Sequence, residues 1–178
     1  MTFKISNVEH YVSPSGLNVD EILNAYGSSL TDMKKTMMDA ELVHRNRTKG
    51  FQIELAEQLK SVLERHFRGL GGQLYSGSGY SPAMRETADV AVSRRGYSKK
   101  IFIEIEFRPN EHKDIVKFLI AYRNGSLDLG ILIVAKDWEK INPTYHTMPI
   151  YDKCKLIITE LRDECPMLLM GLDGQWLE

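Results

Sequence analysis

The chain has 178 residues, 43% of them hydrophobic, enough to bury one full core; with no linker or shift in composition, a single domain over residues 1–178 is expected. A formal net charge of -1 excludes nucleic-acid binding driven by overall basicity, so any such contact must come from local charge. Cys154 and Cys165 are too few for a disulfide framework or a zinc cluster, and no leader-like segment or apolar run of ~18 residues is present, so a reduced, cytoplasmic, membrane-free setting is expected.

In chain order, Val19, Ile22, Leu23 and Tyr26 recur at helical spacing, and Gly27 with Ser28 ends that helix. Residues 30–42 read as a second helix with Met33, Met37 and Met38 turned inward, because methionine fills irregular gaps. Residues 49–67 carry the clearest stripe, Phe51, Leu55, Leu59, Val62, Leu63 and Phe67, stopped by Gly69, Gly71 and Gly72. Residues 73–75 follow as a short strand and residues 76–82 as a loop, whose glycines lack the spacing of a P-loop. Residues 86–93 and 100–107 form two strands of a hairpin around Arg94, Arg95, Gly96 and Tyr97. Residues 111–122 form a helix with Ile115, Phe118, Leu119 and Tyr122 inside, closed by Asn124 and Gly125. The unbroken apolar run at residues 129–135 suits a strand buried on both faces. Residues 152–164 read as a helix and residues 167–170 as a last buried strand. This alternation gives an α/β domain with a central mixed β-sheet flanked by helices.

The chemistry concentrates in residues 99–117. Ile101, Phe102, Ile103, Ile105 and Phe107 drive this strand into a core, yet Glu104 and Glu106 interrupt it, and Asp89 adds a third carboxylate from the neighbouring strand. Buried anions cost several kcal/mol unless a cation pairs with them. Hard oxygen donors of this kind suit Mg2+ or Mn2+, which polarise a phosphodiester and lower the pKa of bound water. On spacing alone the alternative stays open that Glu104 and Glu106 face solvent on an edge strand while the isoleucines face the core.

The segments Thr87-Ala-Asp89, Ile103-Glu-Ile-Glu-Phe107 and Lys113-Asp-Ile-Val-Lys-Phe118 resemble the PD-(D/E)XK nuclease superfamily, within it the type II restriction endonucleases of the BglII and BstYI kind. The resemblance continues in order through Tyr122-Arg123, residues 128–133, residues 145–149 and residues 165–171, covering roughly the last hundred residues. It implies a single-domain restriction-endonuclease-like fold, with Asp89 and Glu104 as metal-binding acids and Glu54 as a further acid near the metal. Glu106 stands where most members have lysine and looks like the glutamate of the BamHI type, which binds the activated water or acts as general base. No proline precedes Asp89, a departure from the frequent motif.

Between Arg85 and Arg123 nine basic residues face six acidic ones, so the surround of the acids is basic. Such residues would neutralise backbone phosphates, with Arg85, His112 and Lys113 among the DNA contacts, and Arg108 and Asn110 would reach guanine and adenine edges. A solvated hairpin tip for residues 94–100, a plain turn at Arg108 and Asn110, and a surface helix start at His112 are the bland alternatives. The expected activity is Mg2+-dependent hydrolysis of DNA at a short palindromic duplex site by a homodimer, since two symmetric subunits match a two-fold target. The rivals are a non-catalytic DNA-binding or regulatory module on the same fold and a repair or structure-selective nuclease.

Overall fold

The computed structural model describes residues 2–14, 18–43, 55–56, 58, 72–81, 86–94, 96–106, 111–136, 148–161 and 164–177. Its strands are β1 (Thr2–Val12), β2 (Glu41–Val43), β3 (Gly72–Ser81), β4 (Glu86–Arg94), β5 (Lys100–Glu106), β6 (Leu127–Ala135) and β7 (Met167–Leu177). They form one seven-stranded sheet in the order β2-β1-β7-β6-β5-β4-β3. β5, β6 and β7 are mutually parallel, and the remaining pairings are antiparallel. Each parallel step needs a long crossover, and helices supply both: α3 (Glu111–Arg123) between β5 and β6, and α4 (Ile150–Leu161) between β6 and β7. The first two helices, α1 (Val19–Ala25) and α2 (Leu30–Met38), are capped by Asn18 and Ser29, whose side chains accept from the Glu21 and Asp32 N–H groups.

Two cores lie on opposite faces of the sheet. Val90, Val92, Ile101, Ile103, Ile105, Leu129, Ile131 and Ile133 pack with Leu23, Tyr26, Met33 and Met37 of the α1 and α2 layer, joined by Leu55. On the other face Ala91, Phe102, Leu132, Val134 and Leu169 pack with Ile115, Phe118 and Ala121 of α3 and Tyr151, Cys154 and Ile158 of α4. Helices therefore cover both sides of β6, which explains its unbroken apolar run. Gly96, at φ 77°, lies in the β4–β5 connection, and Gly125, at φ 73°, ends α3 in the left-handed region.

The sequence expectations for residues 19–26, 86–93, 100–107, 111–122 and 129–135 match these elements to within a few residues at each end. Four others are corrected. β1 was not anticipated: a register shift between Ile5 and Asn7 moves the buried positions from Phe3 and Ile5 to Val8, which breaks the two-residue alternation that marks a strand. The helix expected over residues 30–42 ends at Met38, which is 44% exposed, and Glu41 leads into β2 against β1. Residues 76–81, expected as a loop, continue β3 along β4 with an irregularity between Ser76 and Gly79, where glycine tolerates the bulge. The final strand extends to Leu177 because β1 pairs with it along almost its whole length. In the helix expected over residues 49–67, Leu55, Ala56 and Gln58 are helical, and the rest lies outside the described residues.

The α3 layer packs closely on β6. A Cβ on Gly130 would lie 2.5 Å from Cγ and Cδ2 of Phe118, a fully buried ring. Gly130→Ala is therefore expected to destabilise the fold by about 1–3 kcal/mol in urea unfolding. Combined with Phe118→Ala, which removes the clashing ring, the total loss should fall short of the sum of the single losses; strict additivity would contradict this packing.

Candidate active site at the end of the β4–β5 ladder

β4 and β5 pair from Ser93 opposite Lys100 to Val90 opposite Ile103. Beyond that point side chains continue the connection. Asp89 Oδ2 accepts the Ile105 N–H at 2.8 Å, and Glu104 Oε2 accepts the Asp89 N–H at 3.4 Å. The two carboxylates expected to act together are thus adjacent and each tied to a backbone N–H of the facing strand. Alternation puts Asp89 on the same face as Ala91, and Glu104 on the same face as Phe102, toward α3.

Helix α3 contributes two residues that the sequence reading did not assign to the site. Lys117 Nζ donates to Glu104 Oε1 at 2.5 Å and lies 3.5 Å from Asp114 Oδ1, one turn earlier on the same helix. Glu104 and Lys117 are each 4% exposed and Asp114 8%, so this ion cluster sits between helix and sheet. The inward stripe of α3 passes through Asp114, Lys117, Phe118 and Ala121. That spacing was the available signal: an Asp and a Lys at i and i+3, in line with buried apolar positions, cannot both be ordinary surface charges.

One ammonium is shared between two buried carboxyls, with Asp89 and Glu106 nearby. Burial, then the charges of Asp114 and Asp89, push the Glu104 carboxyl up to about 8, against the opposing pull of Lys117. Asp114 is raised to about 6, again by burial first, with Glu106 and Asp89 adding to it and Lys117 opposing. Buried ion clusters seldom stabilise a fold better than apolar packing would, so such an arrangement points to chemistry.

Of the other residues read from the sequence, Glu106 is half-buried beside Val134 of β6, on the Glu104 face, near enough for its charge to act on Asp114. His112 and Lys113 are exposed in the first turn of α3. Glu54, Arg85, Arg108 and Asn110 lie outside the described residues. So the edge-strand alternative is set aside for Glu104, which is buried, and holds in part for Glu106.

Among the described residues no three His, Cys, Asp or Glu side chains converge as a complete metal-ligand set. The donors that do meet, Asp89 and Glu104, still fit magnesium or manganese, because such ions commonly take one or two protein carboxylates and complete their shell with water and substrate phosphate.

The raised carboxyls fix a pH dependence. Glu104 and Asp114 keep their protons to higher pH when folded than when unfolded, so stability is fullest below the ordinary carboxylate range and falls as pH rises through about 6 and then about 8. With a chelator present, the urea midpoint is expected to fall between pH 5 and pH 8.5, and Glu104→Gln should flatten the slope. A midpoint that rises over this range, or a slope untouched by Glu104→Gln, would contradict the buried cluster. No family model matches the chain, and no curated protein matches it.

Proposed function

We propose that this chain is a metal-dependent DNA endonuclease with a restriction-endonuclease-like fold of the PD-(D/E)XK kind, acting as a type II enzyme on a short palindromic duplex site. The observation that carries the reading is the meeting of Asp89, Glu104 and Lys117 at the end of the β4–β5 ladder. Glu106 occupies the strand position where the resembling nucleases mostly have lysine, and here a lysine from α3 reaches the same carboxylate from the adjoining element. Loss of the usual lysine on the strand is thus offset in space.

In this reading Asp89 and Glu104 would hold Mg2+, or Mn2+, which supplies Lewis acidity and an activated water at the scissile phosphate. Lys117 puts a fixed positive charge beside the reacting phosphoryl group, where negative charge builds up in the transition state. The half-buried Glu106, at the end of β5, would take a proton from the attacking water. Exposed His112 and Lys113, in the next element, would meet the DNA backbone, with Arg85, Arg108 and Asn110 as the further expected DNA contacts. A homodimer would bring two such sites to the two strands of a symmetric target.

Incubation of plasmid and linear DNA with the full chain and Mg2+ tests this. The expected result is a set of discrete fragments, abolished by chelation and reduced by about 10²-fold or more in Asp89→Asn, Glu104→Gln and Lys117→Met, the order of loss when a transition-state charge contact is removed. Smeared products would indicate a structure-selective or repair nuclease instead. DNA binding without any cleavage would indicate a non-catalytic module.

A further inference from the structure

Lys117 faces a conflict if the proposed function is right. Its ammonium sits on Glu104 Oε1, the carboxylate that a divalent ion would need, and two cations on one carboxylate repel each other strongly inside a protein. A second carboxylate lies within reach. Asp114 Oδ1 is 3.5 Å from the same Nζ, an ion pair longer than the one to Glu104, on the same helix and also buried. We infer that Asp114 is a positioning residue that takes over the Lys117 ammonium when a divalent cation occupies Glu104, so that the lysine stays paired and close to the reacting phosphate. The inference rests on the metal-binding reading of Asp89 and Glu104, and it adds the partner exchange of Lys117.

Two features support the exchange over a fixed pair. Asp114 and Lys117 are related by i and i+3 on α3, so the lysine can trade partners by a small side-chain movement with the helix unmoved. Leaving the ammonium without a carboxylate at this depth would be costly, which makes a second partner a requirement for cation entry.

The test is Mn2+ affinity of the full chain, read as free Mn2+ by paramagnetic resonance, so that no turnover is involved. Asp114→Asn is expected to weaken Mn2+ binding roughly tenfold, the scale of coupling within one charged network, and to change it by less than about twofold when Lys117→Met is also present. Asp114→Ser serves if the Asn variant does not fold. An equal loss in both backgrounds would mean that Asp114 acts on the ion without the lysine, which overturns the exchange and leaves the metal site standing. Mn2+ uptake that survives Asp89→Asn overturns the site itself, and the exchange with it. Should Lys117→Met fail to fold, the Lys117 Nζ resonance of the wild-type chain decides: Mg2+ addition should move it, and an unmoved resonance overturns the exchange.

Discussion

The Lys117 ammonium, held between Glu104 on β5 and Asp114 on α3, is the contact on which the rest of this architecture turns. It fixes the rotation of α3 on the sheet: turning the helix enough to expose Lys117 would leave Glu104 buried against apolar side chains. Such a contact is specific more than it is stabilising, because removing three charges from water opposes the attraction among them. Close packing makes the same seating stiff, with Phe118 set directly over Gly130 of β6.

The sheet places the acids where α/β folds commonly place their chemistry. β5, β6 and β7 run parallel, and Glu104 and Glu106 lie at the carboxyl end of β5, level with Leu132 and Val134 on β6. Ligand sites in open α/β sheets gather outside these strand ends. On the other side β4 runs antiparallel, and its pairing with β5 gives way to side chains at Asp89. Where a backbone ladder stops, its orphaned N–H groups need acceptors. Here the acceptors are the carboxylates, so the hydrogen bonds that complete the strand ends also hold the acids in a fixed geometry.

That geometry carries a tension suited to a working site. Asp89 and Glu104 each use a carboxylate oxygen on a backbone N–H of the facing strand, Ile105 and Asp89 respectively, while Glu104 also accepts from Lys117. Burial holds Glu104 and Asp114 well above the ordinary carboxylate range, so ionising this cluster is costly. A cation entering it would gain from carboxylates already held in place, which lowers the reorganisation that binding requires.

Much was legible in the chain itself. Helical spacing in residues 19–26 and 111–122, the apolar run of residues 129–135 and the Gly96 turn follow from local propensity and periodicity, which need no tertiary context. Asp89 and Glu104 were legible too, because carboxylates inside apolar strand sequences stand out against their neighbours. β1 was hidden by its own bulge, and the strand character of residues 76–81 by glycines and serines that only pairing with β4 could organise. Asp114 and Lys117 stand in the sequence as charges on an amphipathic helix with no site role attached to them. Their role depends on which side of α3 meets which strand, and a charge's partner across a layer is set by the packing of distant segments, which no local pattern encodes.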